Sequence, residues 1–479
     1  MRQRQAYVQT NAAPTLPGLT LDPLHGHLGK HTLPRPAGTG PRHRIGGRRH
    51  WRLAYPALED TQRLTARPAP RLAAAGSASG IIATVAVHPG VDELVSGLVA
   101  AGAIKSPAVE AAFRALPRHV FVPEVSAEHA YRNEAIPTKL VDGHAVSSAS
   151  QPSIVAVMLE QLDVQPGQRV LEIGAGTGYN AALLARLVGP SGHVVTVDLD
   201  EDIVEDARAH LAAAGVDGVD VVCGDGGLGH PAGAPYDRIV LTVGAWDLAP
   251  AWWDQLAAGG RLLVPLSLRG VQRCVALEEH GSWMESVSVC DCGFMRRRGE
   301  FGGPETVMSM GGVTMTFDAE VDVTGIPELV VRPAVARDLN LSATPGEVFG
   351  GLALWLALYD HGYCTVDAVW QMGDDPPIPT AATFASNEEM VGWSPASLDR
   401  ESLAVLARMN DRLAVHAFGG QSSADRVADA VKRWDARGRP SSRSLRVRVH
   451  LGTHPVGHAA RLVEIRKRWT TVLIDWPSS

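Results

Sequence analysis

The stretch "VLEIGAGTGYNAALLA", residues 170–185, decides the fold. Val170, Leu171 and Ile173 read as a strand buried on both faces, interrupted only by Glu172. Gly174, Gly176 and Gly178 follow at alternate positions, and the apolar residues beyond them fall at helical spacing. Downstream, "HVVTVDLD" (193–200), "EDIVEDARAHLAAAG" (201–215), "VDVVCGDG" (219–226), "YDRIVLTVG" (236–244), "PAWWDQLAAGG" (250–260) and "RLLVPLSL" (261–268) alternate strand and helix patterns. Such alternation predicts an α/β fold, a parallel-rich sheet covered by helices on both faces. In such sheets the ligand lies at the carboxyl ends of the strands.

The glycine spacing bears on the ligand. A dinucleotide fingerprint needs G-x-G-x-x-G, so that the turn and helix start approach a pyrophosphate. Here the spacing is G-x-G-x-G, entered by Glu172, an acid that suits a cationic amino group and repels phosphate. Asp198 ends the next strand, where a carboxylate accepts from two ribose hydroxyls. Asp225 and Gly226 end the third strand, where an adenine amino group would be held. These elements in order fit S-adenosylmethionine better than NAD, and predict a Rossmann-like class I methyltransferase.

The segments around this loop name a family. "SPAVEAAFRALPRHVFVPE" (106–124), "AYRNEAIPT" (130–138), "SASQPSIVAVMLEQL" (148–162), "GDGGLG" (224–229), "APYDRIVLTVGA" (234–245) and "LAAGGRLLVPL" (256–266) together resemble the protein-L-isoaspartate O-methyltransferases over residues 91–268. The resemblance implies that Ser150 lies at the acceptor carboxyl, with Gln151 and Pro152 in the substrate-binding segment. It also implies methyl transfer to a carboxylate that is already ionised, so that alignment and exclusion of water suffice and no Ser-His-Asp triad is needed. The ester would then lose methanol to the following backbone nitrogen, giving a succinimide.

Repair enzymes of this family end soon after "LLVPL", whereas this chain continues for about two hundred residues. That layout resembles the longer methyltransferases of FxLD lanthipeptide systems, which act on ribosomally made precursor peptides. The leading expectation is therefore peptide tailoring, leading to succinimide or isoaspartate, with isoaspartate repair as the alternative. A small-molecule methyltransferase has no reason to carry "SASQP", and a non-catalytic scaffold has no reason to keep an intact loop.

The whole chain sets the remaining bounds. Of 479 residues, 45% are apolar and 20% charged, as in ordinary globular protein. Residues 1–71 carry twelve Arg/Lys against three Asp/Glu, and residues 1–85 show no sustained period, which predicts a disordered basic extension. After Met1 the next methionine is Met158, so a start at Val85, Val87 or Val91 would remove that extension from the protein. Residues 86–298 are expected to form the methyltransferase domain and 299–479 a smaller α+β domain recognising the peptide. The run Arg296, Arg297, Arg298 reads either as an attractor for an acidic peptide or as a solvated linker. Trp355, Trp370 and Trp393 read as core. The longest apolar run, "GIIATVAV", is strand-sized, and the five cysteines are scattered, so no membrane, no nucleic acid, no metal and a cytoplasmic setting are expected.

Overall fold

The structure is a computed structural model that describes Tyr7–Thr10 and residues 88–476, apart from 142–143, 297, 299–301, 387–388, 410 and 453–461. Its organising element is the strand Arg169–Ile173, paired in parallel with His193–Asp198 on one side and Tyr236–Leu241 on the other. Val219–Cys223 and Leu256–Leu268 extend the parallel set outward. Val271–His280 and Trp283–Asp291 then add antiparallel strands by tight hairpins. The α/β class is as the alternation predicts.

Each sheet face has its own core. Val170 and Val194 face a cluster built with helices Pro89–Ala100, Pro107–Ala115, Pro152–Leu162 and Tyr179–Val188. Leu171, Ile173 and Val197 face the other way. Ser106 caps the helix Pro107–Ala115 through Val109 N–H (3.3 Å), with Pro107 at the first position. Just after it, Arg118–Phe121 forms a 3₁₀ turn in which the Arg118 guanidinium is buried.

The boundary at 298 does not divide two cores. Strand Arg446–Leu451 pairs antiparallel with Trp283–Asp291, and Thr470–Asp475 and Val463–Arg466 follow it, so the chain's last strands complete the first sheet, ten strands in all. Between that sheet and a second, antiparallel nine-stranded one lie Ala353–Tyr359 and Ser422–Ala436. Their Leu354, Leu358, Val427 and Trp434 share one cluster with Val264, Leu277 and Met284 of the first sheet and with Leu406 and Val415 of the second. Arg273, fully buried, joins the parts by pairing with Asp291 (3.1 Å) and donating to Phe349 O (2.6 Å). Trp355 and Trp393 are buried as expected, and Trp370 packs against the second sheet's own cluster. At the far edge of that sheet, Tyr7–Thr10 pairs antiparallel with Thr306–Met310, so this stretch of the basic extension is a strand; the rest of residues 1–85 lies outside the described residues. No described helix is long and apolar enough to cross a membrane.

Candidate active site

The glycine loop leaves the carboxyl end of Arg169–Ile173 with all three glycines at positive φ. Gly174 has φ +105°, and a Cβ there would lie 2.6 Å from Thr242 Oγ1 and 2.9 Å from Val243 Cγ1. Only glycine fits that position. Thr242 in turn donates to Gly174 O (2.6 Å), fixing the loop against the neighbouring strand end. Asp198 stands where its strand ends and accepts from Gly176 N–H (3.1 Å) and Leu199 N–H (2.8 Å). Asp225 accepts from Gly227 N–H (2.9 Å), closing the turn in which buried Gly226 packs so tightly that a Cβ would meet Ile173 at 2.4 Å. The structure thus brings Gly174, Gly176, Gly178, Asp198, Asp225 and Gly226 to one edge of the sheet, at the carboxyl ends of the parallel strands, where a ligand crevice is expected.

Glu172 does not face that crevice. It is fully buried on the helix side of the sheet, accepting from Thr196 Oγ1 (2.6 Å) and Asn180 Nδ2 (2.7 Å). The expected contact with a cofactor amino group gives way to a brace: strand alternation puts residue 172 on the face opposite Leu171 and Ile173, beneath the helix start. Burial pushes its carboxyl up to about 7, against the two hydrogen bonds that favour the charged form. A folded-state value above the unfolded one means that this group favours the fold most below about 4.5, and that the benefit is lost as pH rises through about 7. Glu172→Gln should therefore flatten the stability profile over that window by on the order of 3 kcal/mol relative to wild type, read from urea midpoints at pH 5, 6, 7 and 8. Parallel profiles would show that Glu172 stays charged throughout.

Across the loop stands a separate hairpin, Ile136–Val141 with His144–Ala149. The Cβ position of Gly176 lies 3.7 Å from Ser148 O, so cofactor loop and serine strand face each other directly. A small cavity of about 80 Å³ between them is lined by Ser147, Thr138, Lys139, Gly176, Thr177 and Asp202, among others. A larger open groove of about 520 Å³ beyond His210 contains no loop residue. Ser150 sits past the strand, half-buried at the entry to helix Pro152–Leu162, where Pro152 is the first residue. Its carbonyl accepts from Arg118 Nη2 (3.1 Å), while Gln151 Nε2 donates to Asn133 O (2.9 Å).

Three contributors escaped the reading of the sequence. Arg118 also donates to the carbonyls of Ala130, Arg132 and Glu134, wiring the acceptor segment to its neighbour, and nothing local in "LPRHVFVP" signals that role. Thr242 belongs to "LTVGA", likewise unassigned. Lys139 carries no local signal at all. Of the arginine run, Arg296 is largely buried with Glu305 and Asp318, and Arg298 pairs with Asp200 (2.8 Å), while Arg297 lies outside the described residues.

The crevice fits an uncharged nucleoside with a cationic tail. Carboxylates and backbone line it, and the two nearby bases, Lys139 and Arg298, are already occupied by Asp200 and Asp202. Comparison with known proteins agrees. The protein-L-isoaspartate(D-aspartate) O-methyltransferase family profile matches residues 90–295. The chain is 41% identical over 211 residues to the protein-L-isoaspartate O-methyltransferase of Methanoculleus marisnigri, covering 44% of this chain and 92% of that protein. It is 39% identical over 221 residues to the enzyme of that name from Hyperthermus butylicus, covering 44% and 90%. A solved structure titled protein-L-isoaspartate O-methyltransferase superposes with TM-score 0.43 at 21% identity, over 80% of this chain and 98% of that one.

Proposed function

The chain belongs to the protein-L-isoaspartate O-methyltransferase family, and from that premise we propose that it esterifies the free carboxylate of an isoaspartyl residue in a protein or peptide. Its cofactor, S-adenosylmethionine, supplies an electrophilic methyl group. Gly174, Gly176 and Gly178 keep the loop backbone open to it. In this reading Asp198 accepts from the ribose hydroxyls and Asp225 from the adenine amino group. Ser150 and the serine strand orient the acceptor. A carboxylate at neutral pH is its own nucleophile, so these groups position rather than deprotonate it. The observation that carries this reading is the 3.7 Å approach of the glycine loop to Ser148 O, which sets acceptor strand against cofactor loop.

This reverses the order expected from the sequence. Relatives that match at 39–41% identity carry the isoaspartate name, and Arg296 and Arg298, one reading of which was an attractor for an acidic peptide, pair with Asp318 and Asp200. Support for the precursor-peptide reading reduces to residues 296–479, which lie beyond the family match. Mass spectrometry with an isoaspartyl peptide and an all-aspartate peptide side by side separates the two. We expect gain of one methyl and then loss of methanol on the isoaspartyl peptide; modification of the aspartyl peptide alone would overturn the proposal. Ser150→Ala should slow turnover ten- to a hundredfold, about 1.4–2.7 kcal/mol of transition-state stabilisation, and leave cofactor affinity unchanged in calorimetry.

A further inference from the structure

The hairpin bearing the serine strand belongs to neither large sheet. An isolated two-stranded hairpin is marginal in water, so its position depends on what ties it down. At its base Ile136 and Ala149 pack against Val122 and Ala130. Toward its tip, Leu140 and Val141 are exposed. Between base and tip stands Lys139. Register irregularities flank it on both sides, and such bulges re-aim a side chain out of the regular alternation. Its Nζ donates to Asp200 Oδ2 (2.9 Å) and Asp202 Oδ1 (2.7 Å) at the start of helix Glu201–Ala213. Those bonds, first to Asp202 and then to Asp200, hold the ammonium above its ordinary value. Arg298 reaches the same Asp200 carboxylate from the far side (2.8 Å).

Both ends of this link are at the site. Lys139 is the cross-strand partner of Ser147, whose hydroxyl accepts from Thr138 Oγ1 (3.1 Å), and Ser148 comes next. Asp200 lies two residues beyond Asp198, on the loop whose Leu199 N–H that carboxylate binds. We propose that Lys139 is a positioning residue that latches the serine strand over the cofactor crevice by bridging Asp200 and Asp202, with Arg298 closing the same carboxylate from the linker. Cofactor exchange then requires the latch to open, and the acceptor strand reaches its working position only when it is shut. The inference rests on the crevice being the cofactor site, and deepens that reading by naming what closes it.

The test uses the full chain and S-adenosylhomocysteine as probe. Lys139→Met should release the probe three- to tenfold faster in stopped-flow displacement, in keeping with two partly exposed ion pairs. Amide exchange should rise in His144–Ala149 and not in Arg169–Ile173. Lys139→Arg should restore both, and adding Asp202→Asn to Lys139→Met should change neither further. Should Lys139→Met fail to fold, Asp202→Asn reads the same link. Unaltered release and unaltered hairpin exchange would overturn the latch. Neither readout involves an acceptor, so failure to methylate an isoaspartyl peptide would sink the functional proposal and leave this one standing.

Discussion

A chain ending at Arg298 should not accumulate as a folded, cofactor-binding protein. Cutting there strips the shared core of Leu354, Leu358, Val427, Trp434, Val447 and Val472, and exposes Leu262, Val264, Leu266, Val275, Leu277 and Met284, all now fully buried. At roughly 1.5–3 kcal/mol for each exposed side chain, those six represent about 9–18 kcal/mol, against a typical total stability of about 5–15 kcal/mol. Arg273 would keep Asp291 but lose Phe349 O, and strand Trp283–Asp291 would become a bare edge. The active-site side suffers too. Asp247 accepts from Trp469 N–H (2.8 Å) and Thr470 Oγ1 (2.5 Å), and Lys467 donates to the carbonyls of Trp246 and Ser267, so the loop following Thr242 is held by the chain's last hairpin. Insolubility, or a molten far-UV-positive and near-UV-silent product, is the expected result. A soluble 86–298 fragment that binds S-adenosylmethionine with full affinity would refute it, and would restore the two-domain expectation.

Gly174→Ala should weaken S-adenosylmethionine binding by about thirtyfold or more while the protein stays folded. The residue sits at φ +105°, and the added methyl would collide with Thr242 Oγ1 and Val243 Cγ1, at 2.6 and 2.9 Å. Backbone strain of about 1–3 kcal/mol comes with that φ, and the loop escapes the clash only by leaving the strand end to which Thr242 ties it. Every 1.4 kcal/mol taken from the binding conformation is tenfold in affinity. Gly189→Ala serves as control: it also has positive φ, +66°, but at the far end of helix Tyr179–Val188 with open space around it. That variant should lower the melting temperature and leave calorimetric affinity alone. Equal affinity losses in the two variants would mean that the glycine loop is not where the cofactor binds.

Sequence alone settled whatever is written in neighbouring residues. The alternation from 169 to 268 determined the α/β class, because burial on both faces demands continuous apolar strands and the crossover helices must be amphipathic. The turn at Gly174, Gly176 and Gly178 was legible because positive φ admits few other residues. Asp198 and Asp225 were legible at or just past strand ends because a parallel sheet carries every such end to one edge. Tertiary structure decided what depends on partners distant in the chain. Trp283–Asp291 meets Arg446–Leu451 across some 150 residues, and no local pattern in either strand says which edge it will cover. Glu172 was misread for the same reason: its position beside a glycine loop is local, but its burial against Thr196 and Asn180 depends on how the next strand and helix close over it. Lys139 meets its partners only because folding carries the hairpin to a helix start sixty residues onward, where two carboxylates stand within reach of one ammonium.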